Sequence, residues 1–280
     1  MQVEILKAIQ SIHNPFFDML FISITYLGSE FFYFVFIPYF YWNVDKRFGL
    51  KLSIMFLISV YLNTAIKELT SINRPIGYPG IRSLALSTAG GYSFPSGHAQ
   101  HSTVVWGIVA SRFRSVKWYV IAGIFIVSVS FSRLYLGVHW PLDVIGGIVV
   151  GFALVYLSSK TKWLSALRLS HEWLLWLGSV AVSLLLLLIF PQHDIWRVSG
   201  MMSGLLLGYF IESKHVKYEV GVSKGHKKIA LHLIGISGLL IIYIGLGYVL
   251  PAELAFTWIK HFAMGVYITL IVPYFYKVVV

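Results

Sequence analysis

Apolar residues dominate the chain in runs that are separated by short polar segments. A helix crosses the roughly 30 Å hydrocarbon core of a bilayer with about 20 such residues. We identify nine apolar runs, at about 31–42, 50–66, 95–111, 118–134, 140–157, 173–190, 198–211, 229–250 and 255–276. The pattern predicts an all-α fold, a polytopic membrane helical bundle with about nine transmembrane helices.

Two weaker features precede the first clear span. Residues 1–13 place isoleucines at helical spacing among polar side chains, which predicts a short helix lying in the membrane interface. Asn14-Pro15 ends that helix. Gly28-Ser29-Glu30 then interrupts the next apolar run, so we place the entry of the first span as early as Leu20.

Composition strengthens the membrane assignment. Hydrophobic side chains make up 58% of the 280 residues and charged side chains only 12%, against about 25% charged in soluble domains. The chain has no cysteine, which excludes disulfides and thiolate-metal sites. The net charge of +11 lies in short clusters between apolar runs, so we interpret the basic residues as membrane anchors and expect no nucleic-acid partner.

Basic residues collect at alternate connections between the predicted spans, and such clusters mark the cytoplasmic side. The clusters are Lys46, Arg47 and Lys51; Arg112, Arg114 and Lys117; Lys160, Lys162 and Arg168; and Lys214, Lys217, Lys224, Lys227 and Lys228. This topology brings segments 68–94, 135–139 and 191–197 to the outer face. With no targeting signal recognised, we expect a multi-pass protein of a bacterial inner membrane.

Glycines recur at every fourth residue in two predicted spans, at Gly147 and Gly151 and at Gly200, Gly204 and Gly208. This spacing lets helix backbones approach closely. We favour packing within the chain and keep a homodimer through these glycine faces as the alternative.

Three polar groups interrupt the first half of the chain, each at the outer end of a predicted span. They are Lys67 with Arg74-Pro75; Pro95-Ser96-Gly97-His98; and Ser132-Arg133 with His139 and Asp143. Because their spans end on the same face, we expect the three groups to meet. Lys67, Arg74 and Arg133 would then present three cations at the margin of a low-dielectric region, an arrangement that suits phosphate oxygens.

The second and third groups supply the chemistry that acts on such an anion. Pro95 can start a helix whose first amides, near Ser96 and Gly97, point at the anion, and Ser96 adds a hydroxyl donor. His139 and Asp143 are four residues apart, so the carboxylate can orient the imidazole as a nucleophile. His98 is then the candidate general acid for the leaving group.

The patterns Lys-x6-Arg-Pro, Pro-Ser-Gly-His and Ser-Arg-x5-His-x3-Asp, in this order, resemble the three signature motifs of the type 2 phosphatidic acid phosphatase superfamily. The resemblance covers about residues 67–143. It implies that Lys67, Arg74 and Arg133 clamp the phosphate and that Ser96 and the Gly97 amide hydrogen-bond it. It also implies that His139 attacks phosphorus, Asp143 orients His139, and His98 protonates the leaving group. It implies a phosphohistidine intermediate, with no metal and no cofactor.

We therefore predict a membrane phosphatase that acts on a lipid phosphate or diphosphate at the outer face. Residues 20–190 would form a six-helix phosphatase core, and residues 191–280 would add helices of unknown role to a single membrane domain of 1–280. The alternatives are a soluble sugar-phosphate phosphatase resembling glucose 6-phosphatase and a lipid transporter or flippase. Lys260 and His261, in the last run, either extend to the interface or contact the substrate.

Overall fold

The computed structural model describes residues 1–160, 172–190, 192–220, 225–251 and 253–279. Within these residues the chain is helical and forms no strand. The helices are α1 (Gln2–Gln10), α2 (Pro15–Tyr26), α3 (Glu30–Asn43), α4 (Lys46–Thr70), α5 (Gly97–Phe113), α6 (Val116–Tyr135), α7 (Pro141–Lys160), α8 (Glu172–Ile189), α9 (His193–Ile211), α10 (Gly225–Val249), α11 (Leu254–Val266) and α12 (Val272–Val279). The all-α prediction is confirmed.

Five helical stretches in the described residues are long and apolar enough to cross a membrane. They are Lys46–Thr70, Val116–Tyr135, Pro141–Lys160, Ile229–Val249 and Leu254–Val279. Helices α2 and α3 make a sixth candidate if they count as one broken span, since they pass the same test together. The chain is an integral multi-pass membrane protein, but the predicted count of nine spans is not confirmed.

The difference lies in three predicted runs. Helix α5 is 17 residues long, and its first two turns carry His98, Gln100 and His101, which lower its mean hydropathy. The apolar part of α8 is short, at Trp176–Ile189. Helix α9 begins with the polar sequence His193-Asp194. Helix α5 buries most of its residues, so protein rather than lipid surrounds its polar part.

Helices α2 and α3 are bent by 50° at the short break between Tyr26 and Glu30. The break coincides with the Gly28-Ser29-Glu30 interruption of the sequence. Helix α2 has a defined start, since the Asn14 side chain accepts a hydrogen bond from the Phe17 amide at 2.9 Å and Pro15 occupies the first helical position. The polar break thus divides a single predicted span into two helices.

The chain divides into two compact units, and two of the three divisions lie inside α3 and α4. Unit 1 contains residues 1–34 and 58–161, and unit 2 contains residues 35–57 and 162–280. All eight candidate site residues lie in unit 1. The predicted phosphatase core of 20–190 and the added region of 191–280 stay predictions.

The glycine faces are packed within each unit. In unit 1, a Cβ on Gly147 of α7 would lie 2.5 Å from the Ser96 carbonyl oxygen, and one on Gly151 would lie 2.6 Å from Thr103 Cβ of α5. In unit 2, a Cβ on Gly200 or Gly204 would collide with carbonyl oxygens of α11, and one on Gly208 with the Thr269 hydroxyl. Close helix packing inside the chain therefore accounts for the spacing. A homodimer stays a separate prediction.

Candidate active site

The Arg74 side chain connects the first polar group to the third and to the glycines that precede the second. Its Nε donates to the Gly91 carbonyl at 2.9 Å, and its Nη2 donates to the Gly90 carbonyl at 2.7 Å. Its Nη1 donates to the Val138 carbonyl at 2.8 Å and lies 2.9 Å from His139 Nε2. The guanidinium is thus fixed by three backbone carbonyls and contacts the candidate nucleophile.

The contacts of His139 define its tautomer. A guanidinium has no acceptor, so His139 Nε2 must accept from Arg74 and the proton must lie on Nδ1. Nδ1 faces Asp143 Oδ2 at 3.4 Å and Ser93 Oγ at 3.4 Å. The Ser93 hydroxyl in turn donates to Asp143 Oδ2. The Nε2 lone pair therefore points toward Arg74 and accepts its hydrogen bond, and this is the lone pair with which a histidine nucleophile would attack phosphorus.

The start of α7 holds Asp143 in place. Pro141 takes the first helical position, where a missing amide hydrogen costs nothing. Asp143 reaches back to accept from the Trp140 amide at 2.7 Å, as the third helical residue of a capping box does. His139 lies just before the helix and Asp143 in its first turn. The predicted pairing of His139 and Asp143 is present in the structure.

Ser96 and His98 stand at the start of α5. Ser96 occupies the N-cap position without a side-chain capping bond, and its backbone amide donates to the Asp143 carbonyl at 2.9 Å. Helix geometry leaves the first amides of α5 without intrahelical acceptors. Among the described residues, the buried atoms without a hydrogen-bond partner include Ser96 Oγ and His98 Nε2. Polar atoms in this condition are suited to a polar ligand.

Arg133 is completely buried near the end of α6. Its Nη1 donates to the hydroxyls of Thr25 at 2.5 Å and Thr88 at 2.8 Å, and its Nη2 donates to the Thr88 carbonyl at 3.0 Å. Its Nε is a third buried atom of the motifs that has no partner among the described residues. Two threonines thus hold the guanidinium and leave its Nε hydrogen for a ligand.

Burial and positive charge determine the protonation of the site. Burial lowers the pKa of Arg74 to about 10, which leaves it charged at neutral pH. Burial, reinforced by the charges of Arg74, Arg133 and Lys67, holds the pKa of His139 well below its usual value. The imidazole is therefore neutral and nucleophilic at neutral pH. Lys67, in the last turn of α4, is close enough to contribute to this field.

Gly97 also allows close packing at the start of α5. A Cβ at this position would lie 3.1 Å from Asn63 Oδ1 and 3.4 Å from His101 Nε2. The missing side chain thus lets the start of α5 approach α4. The Asn63 amide donates to the Pro95 carbonyl at 3.2 Å and to Gln100 Oε1 at 2.9 Å, which fixes the peptide next to Ser96.

The sequence did not single out several residues that support the site. They are Ser93, which contacts Asp143 and His139; Thr25 and Thr88, which hold Arg133; and Asn63 and Gln100, which hold the start of α5. Ser93 stands two residues before Pro95, so its place beside the motif was the available signal. The two threonines follow no pattern and lie far from Arg133 in sequence.

The structure also describes the surroundings of four other polar residues, His101, His193, Lys260 and His261. His101 is buried, with Nδ1 2.9 Å from the Ser59 hydroxyl. In unit 2, His193 is exposed at the start of α9. The Lys260 ammonium lies 4.7 Å from the centre of the Tyr243 ring, and the buried His261 Nδ1 lies 2.7 Å from the Thr257 carbonyl.

Two models of known families match the chain. The PAP2 superfamily model matches residues 48–166, and the model of the transmembrane extension of PAP2 superfamily phosphatases matches residues 196–279. The chain belongs to the PAP2 superfamily. The match to the first model contains all three motifs, which confirms the family resemblance seen in the sequence.

Individual relatives agree with the family assignment. Phosphatidylglycerophosphatase B of Bacillus subtilis is 31% identical over 170 residues, which cover 54% of this chain and 78% of the relative. Undecaprenyl-diphosphatase of Sulfolobus acidocaldarius is 38% identical over 118 residues, covering 42% of this chain and 56% of the relative. The chain spans 38 to 56% of the length of the first curated relatives that it matches.

A solved structure shows the same fold. The crystal structure of Aquifex aeolicus LpxE superposes with a TM-score of 0.50 at 23% identity, over 56% of this chain and 94% of that chain. At this identity the likeness supports the helical fold alone.

Proposed function

We propose that the chain is an integral membrane phosphatase that hydrolyses a lipid phosphate monoester or diphosphate through a phosphohistidine intermediate. One observation carries the proposal. His139 Nε2 faces the Arg74 guanidinium while Asp143 and Ser93 back its Nδ1, and buried atoms of Ser96, His98 and Arg133 have no partner among the described residues. A nucleophile and a set of phosphate-binding groups therefore lie in one unit.

The proposed reaction has two steps. His139 Nε2 attacks phosphorus, the bond from phosphorus to the leaving oxygen breaks, and His98, which carries a proton on both ring nitrogens at this point, transfers one of them to that oxygen and becomes neutral. A water molecule then attacks the phosphorus of the phosphohistidine and gives a proton to neutral His98, while the bond from phosphorus to His139 Nε2 breaks. This step releases inorganic phosphate, restores neutral His139 and protonates His98 again. Throughout, Asp143 and Ser93 keep the Nδ1 proton in place, which stabilises the positive imidazole that forms during attack.

In this proposal, positively charged side chains stabilise the negative charge of the transition state, as a metal ion does in other phosphoryl-transfer enzymes. Lys67, Arg74 and Arg133 are the cations that would face the equatorial oxygens of the phosphoryl group, where charge develops during transfer. Arg74 and Arg133 are held by backbone and threonine oxygens before substrate binds. Such preorganised charges avoid a reorganisation cost during the reaction. We therefore propose that turnover needs no metal ion.

Apolar side chains beside the phosphate clamp favour a lipid substrate. Four residues that flank Lys67 and Arg74 in sequence expose large apolar groups: Leu69, Ile72, Ile76 and Tyr78. A soluble sugar phosphate has no use for this surface, whereas a lipid can leave its tail in the bilayer and present its head group to the cations. The distribution of Lys and Arg supports an extracytoplasmic site, and we propose a bacterial inner membrane. The names of two relatives suggest isoprenoid diphosphates and phosphatidylglycerophosphate as first substrates to test.

A substrate panel tests the proposal. Purified protein in micelles, with EDTA present, is expected to release phosphate from isoprenoid diphosphate, phosphatidic acid, phosphatidylglycerophosphate or sphingoid phosphate. For at least one lipid, kcat/KM should exceed that for glucose 6-phosphate by at least about tenfold, because burial of two methylene groups contributes that much.

Three outcomes would contradict parts of the proposal. Equal or better hydrolysis of the sugar phosphate would overturn the lipid assignment. Loss of activity with EDTA and recovery with a divalent cation would overturn metal independence. Lipid movement across proteoliposomes that survives His139→Ala, without phosphate release by the wild type, would favour a transporter.

The pH profile tests the electrostatics of His139. Since the pKa of His139 is lowered, its neutral form persists below the usual histidine pKa of about 6.5. We expect the acid limb of kcat/KM, which reports the free enzyme, to lie below that value. Arg74→Gln removes one of the charges that lower the pKa, so its acid limb should move to higher pH.

The exposed Arg47, in unit 2, provides the control for charge removal. Arg47→Gln should leave the acid limb in place. An acid limb that is unchanged in Arg74→Gln would show that Arg74 does not act on His139 in solution.

A further inference from the structure

Gln10 of α1 is buried, although it belongs to the short helix expected to lie in the membrane interface. Its Nε2 donates to the Arg82 carbonyl at 2.8 Å and to the Tyr135 carbonyl at 2.9 Å, and its Oε1 accepts from the Arg82 amide at 3.0 Å. The carboxamide therefore uses both hydrogens and its oxygen on the backbone of two distant segments. We call these three hydrogen bonds the Gln10 clamp.

The clamp acts on the turn that leads to His139. Beyond Tyr135, the Leu136 carbonyl accepts from the Leu84 amide at 2.9 Å, and the Gly137 carbonyl accepts from the Ser83 hydroxyl at 3.2 Å. Gly137 has a φ of +64°, and a Cβ there would collide with the Arg82 carbonyl and lie 2.7 Å from Gln10 Nε2. Residues 82–84, the Gln10 clamp and the turn at 135–138 are thus in direct contact.

The turn also determines the position of the proposed nucleophile. Val138, its last residue, presents the carbonyl that Arg74 Nη1 binds, and Nη1 also contacts His139 Nε2. A shift of the turn would therefore displace His139 and Arg74 relative to each other. Reacting atoms need near-attack geometry, and a misplacement of about 1 Å can cost about 100-fold in rate.

A second set of contacts keeps the same region folded without Gln10. The Asp18 carboxylate accepts from the Arg82 guanidinium at 2.7 Å and from the Tyr135 hydroxyl at 2.7 Å. Tyr135, Leu136 and Val138 also form a buried apolar cluster, against which Ile9, Phe17 and Phe21 pack. Loss of the clamp should thus loosen the backbone of the turn more than it destabilises the unit.

From these contacts we infer that Gln10 is a positioning residue that fixes the turn at 135–138 and, through it, the geometry of His139 and Arg74. The inference rests on the proposed function, because the geometry matters only if His139 attacks the substrate. It assigns α1 a role in the reaction although α1 contributes no group that would touch the substrate.

Gln10→Met keeps the size of the side chain and removes all three hydrogen bonds. We expect kcat for the preferred lipid phosphate to fall by about 10- to 100-fold, with KM changed by less than about threefold and the thermal midpoint nearly unchanged. Ser11→Ala is the matched control, since the Ser11 hydroxyl bonds only to the Ala8 carbonyl of its own helix, and it should retain wild-type kcat.

Gln10→Glu adds a pH signature. The ionised carboxylate would face the Arg82 and Tyr135 carbonyls without a hydrogen to donate, whereas the protonated form could bond to one of them. The kcat ratio of Gln10→Glu to Gln10→Met should therefore rise as pH falls. A side chain that only fills space would give a constant ratio.

Three results would overturn the inference: wild-type kcat in folded Gln10→Met, an increase in KM that accounts for the whole loss, or a constant ratio for the Glu variant. If Gln10→Met does not fold, Ser83→Ala decides, since it removes one bond to the same turn. A kcat decrease of about threefold or more supports the inference, and no change overturns it.

Hydrogen exchange separates this inference from the proposed function. Peptides that cover residues 135–139 should exchange faster in Gln10→Met than in Ser11→Ala, whichever substrate the protein uses. Faster exchange with no phosphate release by the wild type would mean that the proposed function fails while the clamp stands. Unchanged exchange together with wild-type turnover would mean that the clamp fails and the function stands.

Discussion

His139→Gln should lose phosphate release from every substrate by at least about 1,000-fold, whatever the leaving group. The amide of glutamine cannot form the covalent intermediate, so neither step of the proposed reaction remains. The loss should not depend on misfolding, because Asp143 still has its bond from the Trp140 amide and the Ser93 hydroxyl. Those bonds hold the start of α7 without the imidazole.

A trapping experiment measures this directly. Wild-type protein is mixed with lipid diphosphate labelled at the terminal phosphate and quenched in base, in which phosphohistidine survives. Label should remain on the wild-type protein and be absent from His139→Gln. His193→Gln is the matched control, since this exposed histidine of α9 belongs to unit 2, and its labelling should equal that of the wild type.

Label that persists on His139→Gln would place the nucleophile elsewhere. The same conclusion would follow if the variant kept more than about 1% of wild-type turnover. If His139→Gln lost turnover but carried label on His98 at the wild-type level, His98 would be the nucleophile and His139 the proton donor.

Sequence spacing was sufficient to predict that His139 and Asp143 lie side by side. The four-residue separation of His139 and Asp143 is a local geometric constraint, and Pro141 marks the helix start between them. The three motifs meet because α4, α5, α6 and α7 are consecutive elements and their motif residues lie at connected ends. The first inference depends on residues that are close in sequence, and the second depends on consecutive helices that alternate in direction. A sequence shows both.

The supporting contacts depend on packing that a sequence does not show. Gln10 and Tyr135 are 125 residues apart, and Thr25 and Arg133 are 108 apart. Glutamine and threonine are ordinary residues for an interfacial helix and an apolar helix, so neither stands out. The Asn63 and Gln100 pair escapes notice for the same reason, because each polar residue lies in a run that was judged only by its hydropathy.

The number of spans also shows how far hydropathy can predict which helices cross the membrane. Apolarity indicates contact with lipid, but α5 is surrounded by protein for most of its length. It can therefore carry Gln100, His101 and Ser102, whose hydrogen bonds are made inside unit 1. Buried polar groups with internal partners lower the hydropathy of a helix without exposing it to lipid.

The proposed proton donor predicts a dependence on the leaving group. His98→Gln should lose about 100- to 10,000-fold on a lipid phosphate monoester, whose alkoxide must be protonated as it leaves. It should lose far less on an aryl phosphate with an acidic phenol, because that oxygen leaves without a proton. A plot of log kcat/KM against the pKa of the leaving group should therefore be steeper for the variant.

Asp143→Asn provides the comparison that distinguishes attack by the nucleophile from protonation of the leaving group. Asp143 orients the nucleophile, with Oδ2 3.4 Å from His139 Nδ1. Its loss should therefore lower kcat/KM by a similar factor for every substrate and keep the wild-type slope. His98 differs because its Nε2 is buried at the start of α5 and has no partner among the described residues, as expected for a group that bonds to the substrate. If both variants kept the wild-type slope, His98 would be excluded as the donor. If the plot were steeper for Asp143→Asn, protonation of the leaving group would depend on Asp143, which contradicts the proposal. Only a steep line for His98→Gln together with a parallel line for Asp143→Asn agrees with attack by one histidine and protonation by the other.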